Sequence, residues 1–195
     1  GEQYLDNFGW FSQAPGDLDG DGLSDFAVSS PQDEGPLTFD SSIRVFLGRS
    51  DGLPQSGLAS WADIRVTDGK VGGDAVFQFT FIPDATGDGV QDLLVVEPNA
   101  STAGKVLLYA GSSGDWPEEL NSNDAVARWD GYLQDESSQL APETRPSLVA
   151  GGDLDGDGVG DVVIVSGLFN RAWIDWGDDG FDDEASLEAV EDSLS

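Results

Sequence analysis

A chain of 195 residues with 38 acidic and 8 basic residues carries a formal net charge of −30 at pH 7, which repels nucleic acid and anionic membrane surfaces and favours cations or basic partners. Its 38% apolar content and six tryptophans are more than a solvated acidic tail holds, so the chain is expected to fold. Cysteine and histidine are both absent, which excludes a disulfide framework, a thiolate metal site and the commonest general base.

Gly1 to Asp6 show neither a basic nor an apolar leader segment, and no run approaches eighteen apolar residues, so membrane insertion is not expected. The chain also lacks methionine, which suggests a processed mature form or a cut piece. In chain order, Phe8 to Phe11 reads as a faint first strand and is followed by Asp17-Leu-Asp19-Gly-Asp21-Gly22-Leu-Ser-Asp25. Phe26 to Ser30 then reads as a buried strand, Ile43 to Gly48 as a third, and Trp61 to Val66 as an outer fourth. The pattern restarts with an aromatic-rich strand at Ala75 to Ile82, the acidic stretch Asp84-Ala-Thr86-Gly-Asp88-Gly89-Val-Gln-Asp92, and strands at Leu93 to Glu97, Lys105 to Gly111 and Ala125 to Leu133. A third round has Ser147 to Ala150, then Asp153-Leu-Asp155-Gly-Asp157-Gly158-Val-Gly-Asp161, then Val162 to Ser166 and Arg171 to Gly177. Its last strand stays open, since Ser186-Leu-Glu-Ala-Val-Glu suits a strand or a short helix. The acidic stretches start 67 and 69 residues apart, and four antiparallel strands per repeat is the arithmetic of a propeller blade. The expected division is 1–70, 71–138 and 139–195, with Gln32 to Ser42, Ser112 to Asn123 and Gln134 to Arg145 as surface loops.

Each acidic stretch places oxygen side chains at positions 1, 3, 5 and 9, glycine at 6 and a backbone carbonyl at 7. Such a set suits calcium, which takes six to eight hard oxygens in flexible geometry, better than magnesium, which demands a tight octahedron. The expected ligands are Asp17, Asp19, Asp21, the carbonyl of Leu23 and Asp25 in the first loop. They are Asp84, Thr86, Asp88, Val90 and Asp92 in the second, and Asp153, Asp155, Asp157, Val159 and Asp161 in the third, for about three Ca2+ ions. Thr86 puts a neutral hydroxyl where the other loops have a carboxylate, so the second site is expected to be the weakest. The alternative is that these are solvated acidic turns, against which stands the repulsion among carboxylates brought together without a cation. Only 11 of the 38 acids lie in the loops, so the remaining charge points to a saline environment or a basic partner.

With loops and flanking strands assembled, the sequence resembles the FG-GAP repeats of integrin α-chain propellers and related bacterial repeat proteins. The first repeat carries Phe8-Gly9, then Ser29-Ser30-Pro31 and Leu47-Gly48; the second keeps Glu97-Pro98 and Ala110-Gly111, and the third Ser166-Gly167 and Trp176-Gly177. The second and third lack the Phe-Gly pair. The resemblance implies an all-β chain of three four-stranded blades forming part of a β-propeller, each with a calcium loop between its first two strands. Three blades cannot close the seven-bladed ring that the family forms, so a protein partner or propeller-completing chain, in an oligomer or larger assembly, is expected.

The function expected is a secreted, extracellular or cell-surface calcium-binding module for adhesion, protein–protein interaction or assembly, with calcium structural and no catalysis. The alternative is a carbohydrate-binding or non-catalytic part of a secreted polysaccharide-degrading enzyme or phospholipase. Catalysis would need paired carboxylates, Lys70, Lys105, a tyrosine or an arginine, and no such constellation stands out. Trp10, Trp61, Trp116, Trp129, Trp173 and Trp176 suit inter-blade core or, less well, a sugar platform. Asp175, Asp178, Asp179, Asp182 and Asp183 read as a solvated turn, and Asn99-Ala-Ser101 fits a glycosylation sequon.

Overall fold

A computed structural model describes residues 8–30, 41–53, 56–57, 59–67, 78–97, 104–130, 148–166, 171–177, 181 and 185–186. The described residues form β-strands and one short 3-10 turn, Ala59–Trp61. Among the described residues three sheets hold all the strands and none closes on itself.

The first sheet runs β1 (Ser12–Gly16), β2 (Asp25–Ser30), β3 (Ser42–Phe46) and β4 (Ile64–Thr67), each antiparallel to the one before. The second runs β5 (Gln78–Ile82), β6 (Asp92–Glu97), β7 (Lys105–Tyr109) and β9 (Ala127–Asp130), again antiparallel. The third holds β10 (Leu148–Gly152), β11 (Asp161–Ser166) and β12 (Arg171–Asp175).

Two short strands depart from a scheme of self-contained four-stranded repeats. β8 (Glu119–Leu120) follows β7 in the chain but joins the first sheet, parallel to β4, and β13 (Ala185–Ser186) follows β12 but joins the second sheet, parallel to β9. Each of the first two sheets therefore has five strands, the fifth donated by the next repeat. Of the stretch left open between strand and short helix only Ser186 is described, and it lies in β13; residues 187–195 lie outside the described set.

Burial explains the sequence pattern of each sheet. Every residue of β6 and β7 is buried, because the second sheet is covered on both faces; a strand so placed has no solvent side and reads as a continuous apolar run. Against one face, Ala27, Ile43, Val45, Ile64 and Val66 of the first sheet pack on Phe79, Phe81, Leu93, Val95 and Leu107. On the other, Leu94, Val96, Val106, Leu108 and Trp129 pack on Val162, Ile164 and Trp173 of the third.

Several strand positions differ from the sequence reading. The first strand is Ser12–Gly16 rather than Phe8 to Phe11: Gly9 turns at φ 96°, and Phe11 packs edge-on against Phe79 with ring centroids 5.1 Å apart. The register of β1 shifts between Gln13 and Gly16, where Pro15 has no N–H to contribute to a ladder. Trp61 ends the 3-10 turn, so the fourth strand starts later, at Ile64. The loops expected at 32–42 and 134–145 lie largely or wholly outside the described residues, as do Lys70 and the sequon at 99–101.

Candidate metal centres

Each acidic segment occupies the hairpin connection between two antiparallel strands: residues 17–24 between β1 and β2, 83–91 between β5 and β6, and 153–160 between β10 and β11. The loops curl by side-chain-to-backbone bonds of the kind aspartate makes in turns. The position 1 carboxylate accepts the N–H of the position 6 glycine, in Asp17 from Gly22 (3.1 Å), Asp84 from Gly89 (2.7 Å) and Asp153 from Gly158 (3.1 Å). The position 5 carboxylate accepts the N–H of position 7: Asp21 from Leu23, Asp88 from Val90 and Asp157 from Val159, at 2.7–2.9 Å. Gly22, Gly89 and Gly158 have φ of 82–97°, in the left-handed region that a Cβ disfavours.

The position 9 aspartates do a different job. Asp25, Asp92 and Asp161 are 0–1% exposed, and in each the carboxylate clasps the loop to the rest of its sheet. One oxygen accepts the N–H of position 2, from Leu18, Ala85 and Leu154 at 2.6–2.7 Å. The other accepts the N–H of the glycine after the third strand, from Gly48 (2.7 Å), Gly111 (2.8 Å) and Gly177 (3.2 Å). That bond brings the glycine so close to the loop that a Cβ would lie 2.8 Å from Ser24 O at Gly48 and 2.5 Å from Gly160 O at Gly177, and closer still to Gln91 O at Gly111. Sequence reasoning noted these glycines only as strand ends. Their recurrence after every third strand was the available signal; the partner was hidden because the separation from the aspartate varies as 23, 19 and 16 residues.

Carboxylates converge in the first and third loops, in the third with the clasp Asp161 among them. Oxygens of Asp17, Asp19 and Asp21 all lie within 4.8 Å of one another, as do those of Asp153, Asp155 and Asp161. Asp25 stands outside the first trio and Asp157 outside the third-loop trio, and among the described residues the second loop gathers no such group. Asp17 Oδ1 is buried and has no hydrogen-bond partner. Burial raises the pKa of Asp19, with the charges of Asp21 and Asp17 adding to it against a backbone bond from Asp21. Burial also raises Asp25 and Asp92; the N–H bonds from Gly48 and Leu18, and from Gly111, Ala85 and Thr86, oppose it. The donors are hard oxygens only, which fits calcium and excludes a site for thiophilic metals.

In the second loop Thr86 Oγ1 donates to Asp92 Oδ1 at 3.3 Å, and Asp84 has both oxygens bonded, to Asp88 N and Gly89 N. Neighbouring loops also touch. Gln91 Oε1 accepts the N–H of Asp17 (2.8 Å), Leu18 O accepts that of Ser112 (3.0 Å) and Asp84 O accepts that of Gly160 (2.7 Å), so the three loops line one rim of the stacked sheets.

The other candidate groups fall elsewhere. Lys105 is buried in an ion pair with Glu97 at 2.6 Å. Asp175 Oδ2 accepts the indole N–H of Trp129, and Asp178, Asp179, Asp182 and Asp183 lie outside the described residues. Trp129 and Trp173 are core residues, Trp116 is half-buried, and Trp10, Trp61 and Trp176 are exposed. A search of curated proteins finds no match to the chain. The family model described as FG-GAP repeat matches residues 9–46, which span β1, the first acidic loop, β2 and β3, so the segment that holds the Asp17, Asp19 and Asp21 trio is similar to an FG-GAP repeat.

Proposed function

We propose that the chain is a calcium-stapled β-propeller segment of three blades that acts outside the cell as an adhesion or assembly module, without catalysis. The observation that carries the metal reading is Asp17 Oδ1, a buried carboxylate oxygen with no hydrogen-bond partner beside the carboxylates of Asp19 and Asp21. A buried, unsatisfied anionic oxygen is costly, and a hard cation between the three carboxylates removes both that cost and their mutual repulsion. Asp17, Asp19 and Asp21 would hold the ion in the first loop and Asp153, Asp155 and Asp161 in the third, with the second loop weaker. Calcium supplies only charge neutralisation and cross-linking of the loop. Extracellular calcium modules work at dissociation constants of about 0.1–1 mM, which suits a protein outside the cell. The FG-GAP repeat supports an interaction module over an enzyme.

Calorimetric titration with calcium, with magnesium as the control, tests this reading. Two sites of similar affinity and a weaker third are expected, with magnesium displacing little. Each ion bound at ten to a hundred times its dissociation constant adds about 1.4–2.7 kcal/mol of stability, so melting in EGTA should fall well below melting in millimolar calcium. No heat of binding and no change in melting would return the loops to solvated turns.

A further inference from the structure

An aspartate followed by glycine can react with its own backbone. The glycine nitrogen approaches the aspartate carboxyl carbon with no Cβ in the way, and it does so most easily when its N–H is not already held in a hydrogen bond. Among the described residues six glycines follow an aspartate: Gly20, Gly22, Gly52, Gly89, Gly156 and Gly158. All six have φ between 68° and 97°, so backbone conformation does not separate them. Their hydrogen bonds do. The N–H of Gly22 is held by Asp17 Oδ2 (3.1 Å), of Gly52 by Arg49 O (2.8 Å), of Gly89 by Asp84 Oδ2 (2.7 Å), of Gly156 by Asp153 Oδ1 (2.6 Å) and of Gly158 by Asp153 Oδ2 (3.1 Å). The N–H of Gly20 makes no such bond.

The first and third loops thus differ at one pair of atoms. In the third, Asp153 Oδ1 accepts the N–H of Gly156. In the first, the matching oxygen is the buried, bare Asp17 Oδ1, and the matching donor is the free N–H of Gly20. The carboxylates that precede these glycines behave alike: Asp19 Oδ1 accepts the N–H of Asp21 at 3.2 Å, and Asp155 Oδ1 that of Asp157 at 3.1 Å. Gly20 is exposed and Asp19 half-buried, so water reaches the pair.

We propose that Asp19–Gly20 is a self-modification site, at which the chain converts Asp19 to isoaspartate through a succinimide and thereby retires the first calcium site. The Gly20 nitrogen bonds to Asp19 Cγ and gives up its proton, and one carboxyl oxygen leaves as water, which closes the cyclic imide. Water then adds to either ring carbonyl. Opening at Cγ restores aspartate; opening at the main-chain carbonyl carbon leaves Gly20 joined through Cγ, which is isoaspartate. No other reactant is consumed. The product lengthens the main chain by one methylene and moves the carboxylate onto Cα, away from the place where Asp19 meets Asp17 and Asp21. The loss of the first site, and the protection an ion gives by holding the Asp19 carboxylate, rest on the calcium reading. The choice of Asp19 among the aspartates does not.

The intact chain, held warm at neutral pH in EGTA and then digested with a protease that cuts before aspartate and not before isoaspartate, reads each position. Isoaspartate should gather at residue 19 about two- to tenfold faster than at residues 21, 51, 88, 155 and 157, the factor that one hydrogen bond on the glycine N–H is worth. Asp153→Ala frees the N–H of Gly156 and should raise residue 155 toward the rate of residue 19. Even accumulation over the six positions, none at residue 19, or a faster position among the other five would overturn the proposal, and these wild-type readings stand whether or not Asp153→Ala folds. A folded Asp153→Ala chain in which residue 155 stays slow would overturn it as well. Repeating the incubation in millimolar calcium separates the two readings: a lead at residue 19 that calcium does not slow sinks the metal reading alone, and calcium uptake by a chain with no lead at residue 19 sinks this proposal alone.

Discussion

The first and second loops share a backbone path and a clasp, yet they leave their carboxylates in opposite states. In the second loop both oxygens of Asp84 accept N–H bonds, and Asp92 takes Ala85 N, Thr86 N, Thr86 Oγ1 and Gly111 N. In the first, Asp17 uses one oxygen on Gly22 and leaves the other buried and bare, while Asp19 and Asp21 crowd it. Part of the difference is backbone, the Asp88 N–H that Asp84 accepts, and part is one threonine. Its hydroxyl can donate to the clasp, where the carboxylate of Asp19 can only repel it. The second loop is satisfied by its own chain; the first leaves one buried carboxylate oxygen for the proposed cation.

Removing the clasp should have the largest effect and should separate the loops. Asn at position 92 keeps the shape but turns an amide N–H toward backbone donors, leaving buried groups unsatisfied; Asp92→Asn should destabilise the metal-free protein by about 3 kcal/mol. Asp25→Asn should cost about 1 kcal/mol less, since it removes a charge repelled by both Asp19 and Asp17, where Asp92 is repelled by Asp88. Urea unfolding in EGTA measures both. Equal losses would mean that the first loop carries no excess repulsion.

The pH dependence comes next. Asp19, Asp25 and Asp92 have folded pKa values above 3.8, so between that value and each raised one the folded state binds more protons than the unfolded state. The slope of stability against pH is then negative: in EGTA the contribution of these groups is full below pH 3.8 and is lost as pH rises through their folded values. At Asp19, a proposed ligand, calcium reverses the sign, because it binds only the ionised carboxylate. Melting curves from pH 4 to 7, with and without calcium, should diverge as pH rises. Parallel curves would contradict the assignment of Asp19 to the metal.

Thr86→Asp should convert the second loop to the first kind, with a smaller effect. It adds a carboxylate beside Asp92 and removes a hydroxyl donor, so the metal-free protein should lose about 1 kcal/mol. Calcium affinity at the second loop should rise about tenfold, read as a third strong site by calorimetry. A variant that loses stability without gaining affinity would mean that the loop backbone, and not its charge count, limits binding.

Much of this was legible in the sequence, and what escaped it was tertiary. The strands at β2, β6 and β11 stood out because a short apolar run follows each acidic loop directly, and the oxygen spacing marked the loops. The division of labour within a loop did not show: four aspartates look alike in sequence, and only burial separates the clasp at Asp25 from the trio at Asp17, Asp19 and Asp21. The donated fifth strands were invisible for a related reason. Glu119 and Leu120 have no strand pattern of their own, and their conformation is fixed by the edge of β4 in another repeat.

The finest test concerns Gln91, which belongs to the second loop but serves the first. Its side-chain oxygen accepts the N–H of Asp17 at 2.8 Å and so fixes the residue that carries the bare oxygen. Gln91→Leu keeps the bulk and removes the acceptor, leaving the N–H of Asp17 without this partner. The first site should then bind calcium about three- to tenfold more weakly, the equivalent of about 0.7–1.4 kcal/mol, since one neutral hydrogen bond is worth roughly that much. The third loop is the internal control. Its tie to the second loop runs through backbone, from Gly160 N to Asp84 O, and no side-chain change at Gln91 removes it. Calorimetry should show one strong site weakened and the other unchanged. If both weaken together, the three loops respond as one rigid rim, and the difference between the first and second loops is set by the stacking of sheets more than by the threonine.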